Sequence, residues 1–339
     1  MSSRRGSALL LGLAALGLAL VAAELLLAWA RPVDFMAPAK QLPDDVWREL
    51  VHRRSDVPGL GYELAPTASG EAGPTNSYGM RDREPLPAGA PGVLRIAVLG
   101  DSFTFGLGVS REEAYPSVLE ALLLRAPETR GRPTDVLNFG VGGYSSADEA
   151  LVLEHKALAW DPDLVIVGYV LNDPQTDAQQ PLQRYFAKPR WWQHFHLLRL
   201  LAQLRYERER ERLGGGDYYR HMHAEAGPHW PSVPRAFERM RALADGAGIP
   251  LLLVVFPAEV ASWHSYAYLE LHEQVAQAAE TAGFQVLDLF EPFAEYAPEA
   301  VQLGGRDSHP TPLGHRIAAA SILERLRRDH TELLRGPRS

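Results

Sequence analysis

The amino-acid sequence predicts a three-layer α/β/α domain built on a five-stranded parallel sheet and preceded by an amino-terminal transmembrane helix. Two observations carry this. From Leu94 onward, short apolar runs alternate with amphipathic stretches, the pattern of buried parallel strands joined by crossover helices. Ahead of them, Ser7 to Ala30 is a run of Leu, Ala, Val and Gly with one charge, Glu24, and about 20 such residues suffice to cross a bilayer as a helix.

Taken in order, the first 30 residues read as an uncleaved anchor. A buried core helix would carry polar residues at helical spacing, and this run has almost none. Arg4 and Arg5 with Ala28-Trp29-Ala30 also resemble a secretory signal with a small-residue cleavage site, so a cleaved, secreted form is the alternative. The apolar stretch exceeds the ~7–15 residues of a signal core, which favours the anchor. Arg31, Lys40 and Arg48 after the span nearly balance Arg4 and Arg5 before it; the expected orientation puts the body on the exported side, periplasmic or extracellular.

Residues 31–92 are rich in Pro, Gly and short polar residues and read as a tether with one short helix and some extended structure. The domain then runs over 93–330. Its strands are expected at Leu94–Leu99, Asp135–Phe139, Leu164–Val170, Pro250–Phe256 and Phe284–Leu289. Ser110 with Glu113 and Ser146 with Glu149 have capping-box spacing, and Thr311-Pro312 opens the last helix. Residues 174–234 interrupt the rhythm as an insertion holding Trp191, Trp192, Trp230 and a charged run from Tyr206 to Arg212 that reads as a solvated helix face.

Composition narrows the function. The net charge of −8 argues against a nucleic-acid partner, which needs a basic surface. With no cysteine in the chain, disulfides, thiolate nucleophiles and cysteine-based metal sites are excluded. His194 with His196 and His221 with His223 lack a nearby carboxylate and read as surface or interface residues, so no metal site is expected.

In an open α/β sheet ligands bind beyond the carboxyl ends of the strands, where strand order reverses. Gly100-Asp101-Ser102-Phe103-Thr104-Phe105-Gly106 follows the first strand, Gly140-Val141-Gly142-Gly143 the second and Asn172-Asp173 the third, so all fall on that edge. Asp307-Ser308-His309-Pro310, before the last helix, supplies the base and orienting acid that a serine nucleophile needs. Singly, Ser102 could cap a helix, Asn172 a turn, the glycines tight turns, and His309 could be a loop histidine; their joint occurrence reads as a site. Asp101 and Asp173 read as structural, and His315 as a surface residue. A phosphate loop, a dinucleotide fingerprint and an α/β-hydrolase elbow all fail, the last because Thr104 stands where a glycine is required.

Gly100-Asp101-Ser102, Gly143, Asn172 and His309 resemble the four blocks of the SGNH, or GDSL, hydrolase family over residues 94 to about 328. With the anchor and Asn76-Ser77-Tyr78-Gly79-Met80-Arg81-Asp82, the chain is similar to a bacterial, membrane-anchored subgroup of that family. The resemblance implies a flavodoxin-like fold and a serine ester hydrolase that works through an acyl-enzyme, without metal or cofactor. It implies Ser102 as nucleophile, His309 as base and Asp307 as orienting acid, with the Ser102 and Gly143 amides and the Asn172 side chain as oxyanion hole. The family usually has its acid three residues before the histidine, where this chain has Arg306; Asp307 stands two before, and Asp288 is the nearest carboxylate on the preceding strand. The expected partners are a small-molecule or glycan ester, such as an O-acetyl group, and the membrane. An O-acyltransferase using the same site, or a non-catalytic envelope binding protein, are the alternatives.

Overall fold

The computed structural model describes residues 2–30, 51–70, 73–175, 190–304 and 307–336. Thus 31–50 of the expected tether, with its short helix, and 176–189 of the insertion lie outside the described residues. In chain order the elements used below are α1 (Ser2–Ala30), β1 (His52–Arg54), β2 (Tyr62–Leu64), β3 (Leu94–Gly100), α2 (Ser102–Phe105), α3 (Tyr115–Leu123), β4 (Thr134–Asn138), α4 (Ser146–His155), β5 (Leu164–Tyr169), α5 (His196–Gly214), α6 (Ser232–Asp245), β6 (Leu251–Val255), α7 (Leu269–Thr281), β7 (Gln285–Asp288) and α8 (Pro312–Asp329). They form two compact units, one of α1 with 190–221, the other of 51–175 with 222–336.

In the first unit α5 packs on α1. Leu10–Ala30 of α1 is an apolar helix of 21 residues, long enough to cross a membrane.

The second unit is the α/β domain. Its sheet is wholly parallel in the order β4-β3-β5-β6-β7, and its strands fall within one residue of the expected ends. Because both faces are covered, β3, β4, β5 and β6 are buried along their length, whereas the edge strand β7 is only partly covered. Leu94, Ile96 and Val98 face Leu119 and Leu123 of α3 and Ile322 and Leu326 of α8. The alternate residues, Ala97, Leu99, Val165 and Val167, are buried on the face of α4 and α6. Each fully buried aliphatic side chain contributes roughly 1.5–3 kcal/mol, so this core drives folding. The chain passes from β3 outward to β4 and then back across β3 to β5, which makes the carboxyl end of β3 the switch point of the sheet.

Two expectations are corrected. The helix after β4 is capped one residue early: Asp148 accepts hydrogen bonds from the Ser145 N–H (3.0 Å) and hydroxyl (2.8 Å). Glu149 is thereby released to a buried position, with Ser146. The described parts of the expected tether, 51–70 and 73–92, belong to the folded unit instead: Tyr62, Leu64, Met80 and Arg81 are buried in it. β1 and β2 form an antiparallel hairpin. The Asn76 carboxamide takes the amides of Tyr78 and Met80 at 3.0 Å each. Gly79 has φ +76°, and a Cβ there would stand 2.6 Å from the Leu64 carbonyl, so only glycine fits this turn.

Asp82, next in that turn, accepts hydrogen bonds from the Arg83 amide (2.7 Å) and the Asn138 amide at the end of β4 (3.2 Å). Burial pushes its carboxyl up to about 7, with Glu120 adding to the rise. A carboxyl whose folded pKa is raised holds its proton in the folded state while the unfolded state has lost it, so folding stability falls as pH rises from about 4 to 7. Asp82→Asn removes this dependence. Denaturant unfolding should show the variant gaining on the wild type by up to ~1.4 kcal/mol per pH unit through that window; a difference that stays flat with pH would contradict the assignment.

Candidate active site

Strand β3 ends at Gly100, where a Cβ would lie 2.0 Å from the Thr104 hydroxyl oxygen and 3.1 Å from the Gly168 carbonyl. The absence of a side chain lets the chain turn at once into α2, with Ser102 as its first residue. Asp101 caps that helix, its Oδ1 taking the Phe103 amide at 2.8 Å. Ser102 is therefore set on the switch point by a strand end and a cap.

The histidine arrives from the other end of the domain. Residues 301–304 and 307–311 are stitched together: the Leu303 amide donates to the His309 carbonyl (2.9 Å), Gly304 and Asp307 bond through their backbones, and the Thr311 amide donates to the Val301 carbonyl. Thr311 then caps α8 through its hydroxyl, which accepts the Gly314 amide. Against Phe103 at 5.0 Å between ring centres, the His309 imidazole points Nε2 at Ser102 Oγ, 2.7 Å away. Its Nδ1 meets Asp307 Oδ1 at 2.5 Å, and the same oxygen accepts the His309 backbone amide at 3.0 Å. This last bond makes an Asx turn, which brings a carboxylate only two residues away onto its own histidine ring. His309 is largely shielded while Asp307 is half-exposed.

Asp288, the alternative acid, is engaged elsewhere: its carboxylate meets His272 Nδ1 at 2.9 Å and accepts the Phe290 amide at 2.8 Å. His315 is not the surface residue that its place in the first turn of α8 suggested. It is buried, its Nδ1 accepts the Tyr115 amide at 3.2 Å, and burial together with the Arg81 and His309 charges pushes its pKa down to about 3, so the ring is neutral.

The other two predicted blocks come to the same sheet edge. Gly140 lies against α2, where a Cβ would stand 2.3 Å from the Phe105 amide nitrogen, and the Val141 amide donates to the Gly100 carbonyl at 3.1 Å. Gly143 follows at φ +77°. Asn172 lies in the turn after β5, and its side chain hydrogen-bonds the Asp101 carboxylate. Asp101 Oδ2 is also 3.3 Å from Ser102 Oγ, so this fully buried acid touches the serine and the asparagine together. Burial pushes its carboxyl up, against the Phe103 amide and His309, which pull it down. Asp173 caps the Val170 amide at 3.1 Å. Desolvation also raises Asp173 and Glu149, each made worse by the charges of the other buried acids. Among the described residues no three His, Asp or Glu side chains gather as metal ligands.

Sequence reading missed the residues that hold these loops. Buried Arg81 donates to the carbonyls of Phe105 (2.9 Å), Gly106 (3.0 Å) and Val109 (2.7 Å), fixing the chain that leaves α2. Tyr62 donates to the Gly142 carbonyl at 2.6 Å, and Asn138 ties the Thr104 carbonyl (2.9 Å) to the Gly140 amide (2.9 Å). Only the motif from Asn76 to Asp82 hinted at Arg81.

Residues 98–317 match the GDSL-like lipase/acylhydrolase family. Among solved structures the chain is similar to an α/β hydrolase from the metagenome of Lake Arreo, Spain, at 17% identity over 74% of this chain and 99% of that one, with TM-score 0.46. It is also similar to a variant of an acetyl xylan esterase from Geobacillus stearothermophilus, at 17% identity over 73% and 97% of the two chains, with TM-score 0.45. No curated protein matches it.

The geometry makes Asp307→Asn informative. A neutral amide cannot stabilise an imidazolium, and it can select the wrong tautomer. Steady-state ester hydrolysis should show kcat falling by ~100-fold or more with KM little changed, while Asp288→Asn, though folded, stays within a few-fold of wild type. The reverse ranking would transfer the orienting role to Asp288.

Proposed function

Because the chain belongs to the GDSL-like lipase/acylhydrolase family and is by that membership an ester hydrolase, we propose that Ser102 is its nucleophile, His309 its general base and Asp307 the acid that orients the imidazole. The observation that carries this reading is the pair of contacts on one ring, Nε2 to Ser102 Oγ at 2.7 Å and Nδ1 to Asp307 at 2.5 Å. The Ser102 proton passes to Nε2 as Oγ bonds the acyl carbon. The oxyanion that forms is held by the Ser102 and Gly143 amides and the Asn172 side chain, donors fixed before the substrate arrives. As the ester C–O bond breaks, Nε2–H gives its proton to the leaving alcohol oxygen. Water, deprotonated by the same nitrogen, then attacks the acyl-serine, the proton returns to Ser102, and a carboxylic acid leaves.

The proposed substrate is an oxygen ester, with O-acetyl groups on an envelope or extracellular glycan as the first class to assay. The proposed setting is a membrane, with α1 as an uncleaved anchor and the catalytic unit on the exported side; its support is an apolar helix of 21 residues.

A fluorophosphonate probe tests the nucleophile directly. The full chain should take one phosphonyl group on the peptide that holds Ser102, and an O-acetylated glycan offered to it should release acetate. No adduct on folded protein would favour the binding-protein reading. Acetyl transfer to an added glycan acceptor in place of release would make the enzyme an acyltransferase.

A further inference from the structure

Glu24 is the one charge within the span, and its carboxylate accepts three hydrogen bonds from the start of α5. The His196 amide donates at 2.6 Å, the Leu197 amide at 2.9 Å, and His196 Nδ1 lies 2.9 Å away. Two of the orphan amides that every helix start carries are thereby satisfied by a side chain of α1. Around this contact Ala23, Glu24, Leu27 and Ala28 are half-covered, whereas the helix from Leu10 to Ala22 is exposed, so α5 sits on the last two turns of the span.

That contact fixes a depth. Glu24 precedes Ala30, the end of the span, by six residues, or ~9 Å along a helix. A carboxylate at that depth is costly unless it is paired, and its partners must lie at the same level. The first half of α5 is built for such a place: Leu201 and Leu204 are exposed by 53% and 49%, and Phe195 and Trp191, just before it, by 48% and 71%. Its second half, from Arg205 to Arg212, is nearly all charged. Trp29, at the end of α1, is 83% exposed. Aromatic rings of this kind collect at the boundary between headgroups and acyl chains, and amphipathic segments lie ~5–10 Å into it.

We propose that the first half of α5 is embedded in the bilayer interface, docked on the outer turns of the span by Glu24, so that the chain grips the membrane with two helices. The occupant of its exposed apolar face is lipid. This inference rests on the reading of α1 as a membrane anchor, and the test separates the two.

The chain contains no cysteine, so single cysteines can be labelled cleanly. Leu16→Cys, Leu201→Cys and Arg212→Cys, each carrying an NBD fluorophore, are reconstituted as full chains into phosphatidylcholine vesicles with and without acyl-brominated phosphatidylcholine. None of these residues belongs to the catalytic site, so ester turnover should match that of the parent chain and verifies folding. Bromolipid should quench the label at 16 strongly and that at 201 markedly, while leaving the label at 212 unchanged. Quenching at 16 without quenching at 201 would overturn the proposal and keep the anchor. An unquenched but blue-shifted label at 201, as burial against a second copy of the chain gives, would overturn it equally. Quenching at neither position would defeat the anchor and this proposal with it.

Discussion

The hydrogen bond between Ser102 and His309, 2.7 Å long, joins residues 207 apart in sequence, and the candidate site depends on it. Side chains meet at that distance only if both loops are held far more tightly than loops usually are. The fold does this with backbone geometry. On one side Gly100 lets the strand turn without a Cβ, Asp101 caps α2, and Arg81 takes the carbonyls of Phe105, Gly106 and Val109 as the chain leaves that helix. On the other, the loop before α8 closes on itself through backbone bonds before the Thr311 cap begins the helix. Neutral hydrogen bonds contribute only about 1 kcal/mol each, but leaving a buried partner unpaired costs more, so each loop has one good conformation.

The site also rests on an unusual load of buried acid. Asp101, Glu149 and Asp173 lie in the interior near one another's fields, and burial raises all three. Asp101 touches both Ser102 and Asn172, so it orders the proposed nucleophile and a proposed oxyanion donor through one side chain. Glu149 is there because the cap of α4 belongs to Ser145 and Asp148, one residue ahead of the spacing that the sequence suggested.

The sheet was readable because a doubly covered parallel strand has to be a short continuous apolar run, and Leu94 to Leu99 or Leu251 to Val255 has few other ways to be buried. The site blocks were readable because they sit at strand ends in an order that topology forces to one edge. What escaped was long-range and polar. Tyr62 and Arg81 are ordinary residues in sequence, and their roles appear only when a segment that looks like linker folds back on the loops, while Asn138, at the end of β4, shows its role only when the loops after β3 and β4 come together. His315 was misjudged because the first turn of a helix is usually wet, yet here it packs against Tyr115. The two-residue spacing of Asp307 and His309 looked anomalous because sequence spacing does not reveal an Asx turn.

The proposed role of Ser102 is to make and break the bond to the acyl group. It is tested most directly by kcat/KM of Ser102→Ala on a short acyl ester, beside its unfolding midpoint. A loss of at least ~1000-fold is expected, with the midpoint retained. A folded Ser102→Ala that hydrolyses the ester at a rate near that of the parent chain would contradict it.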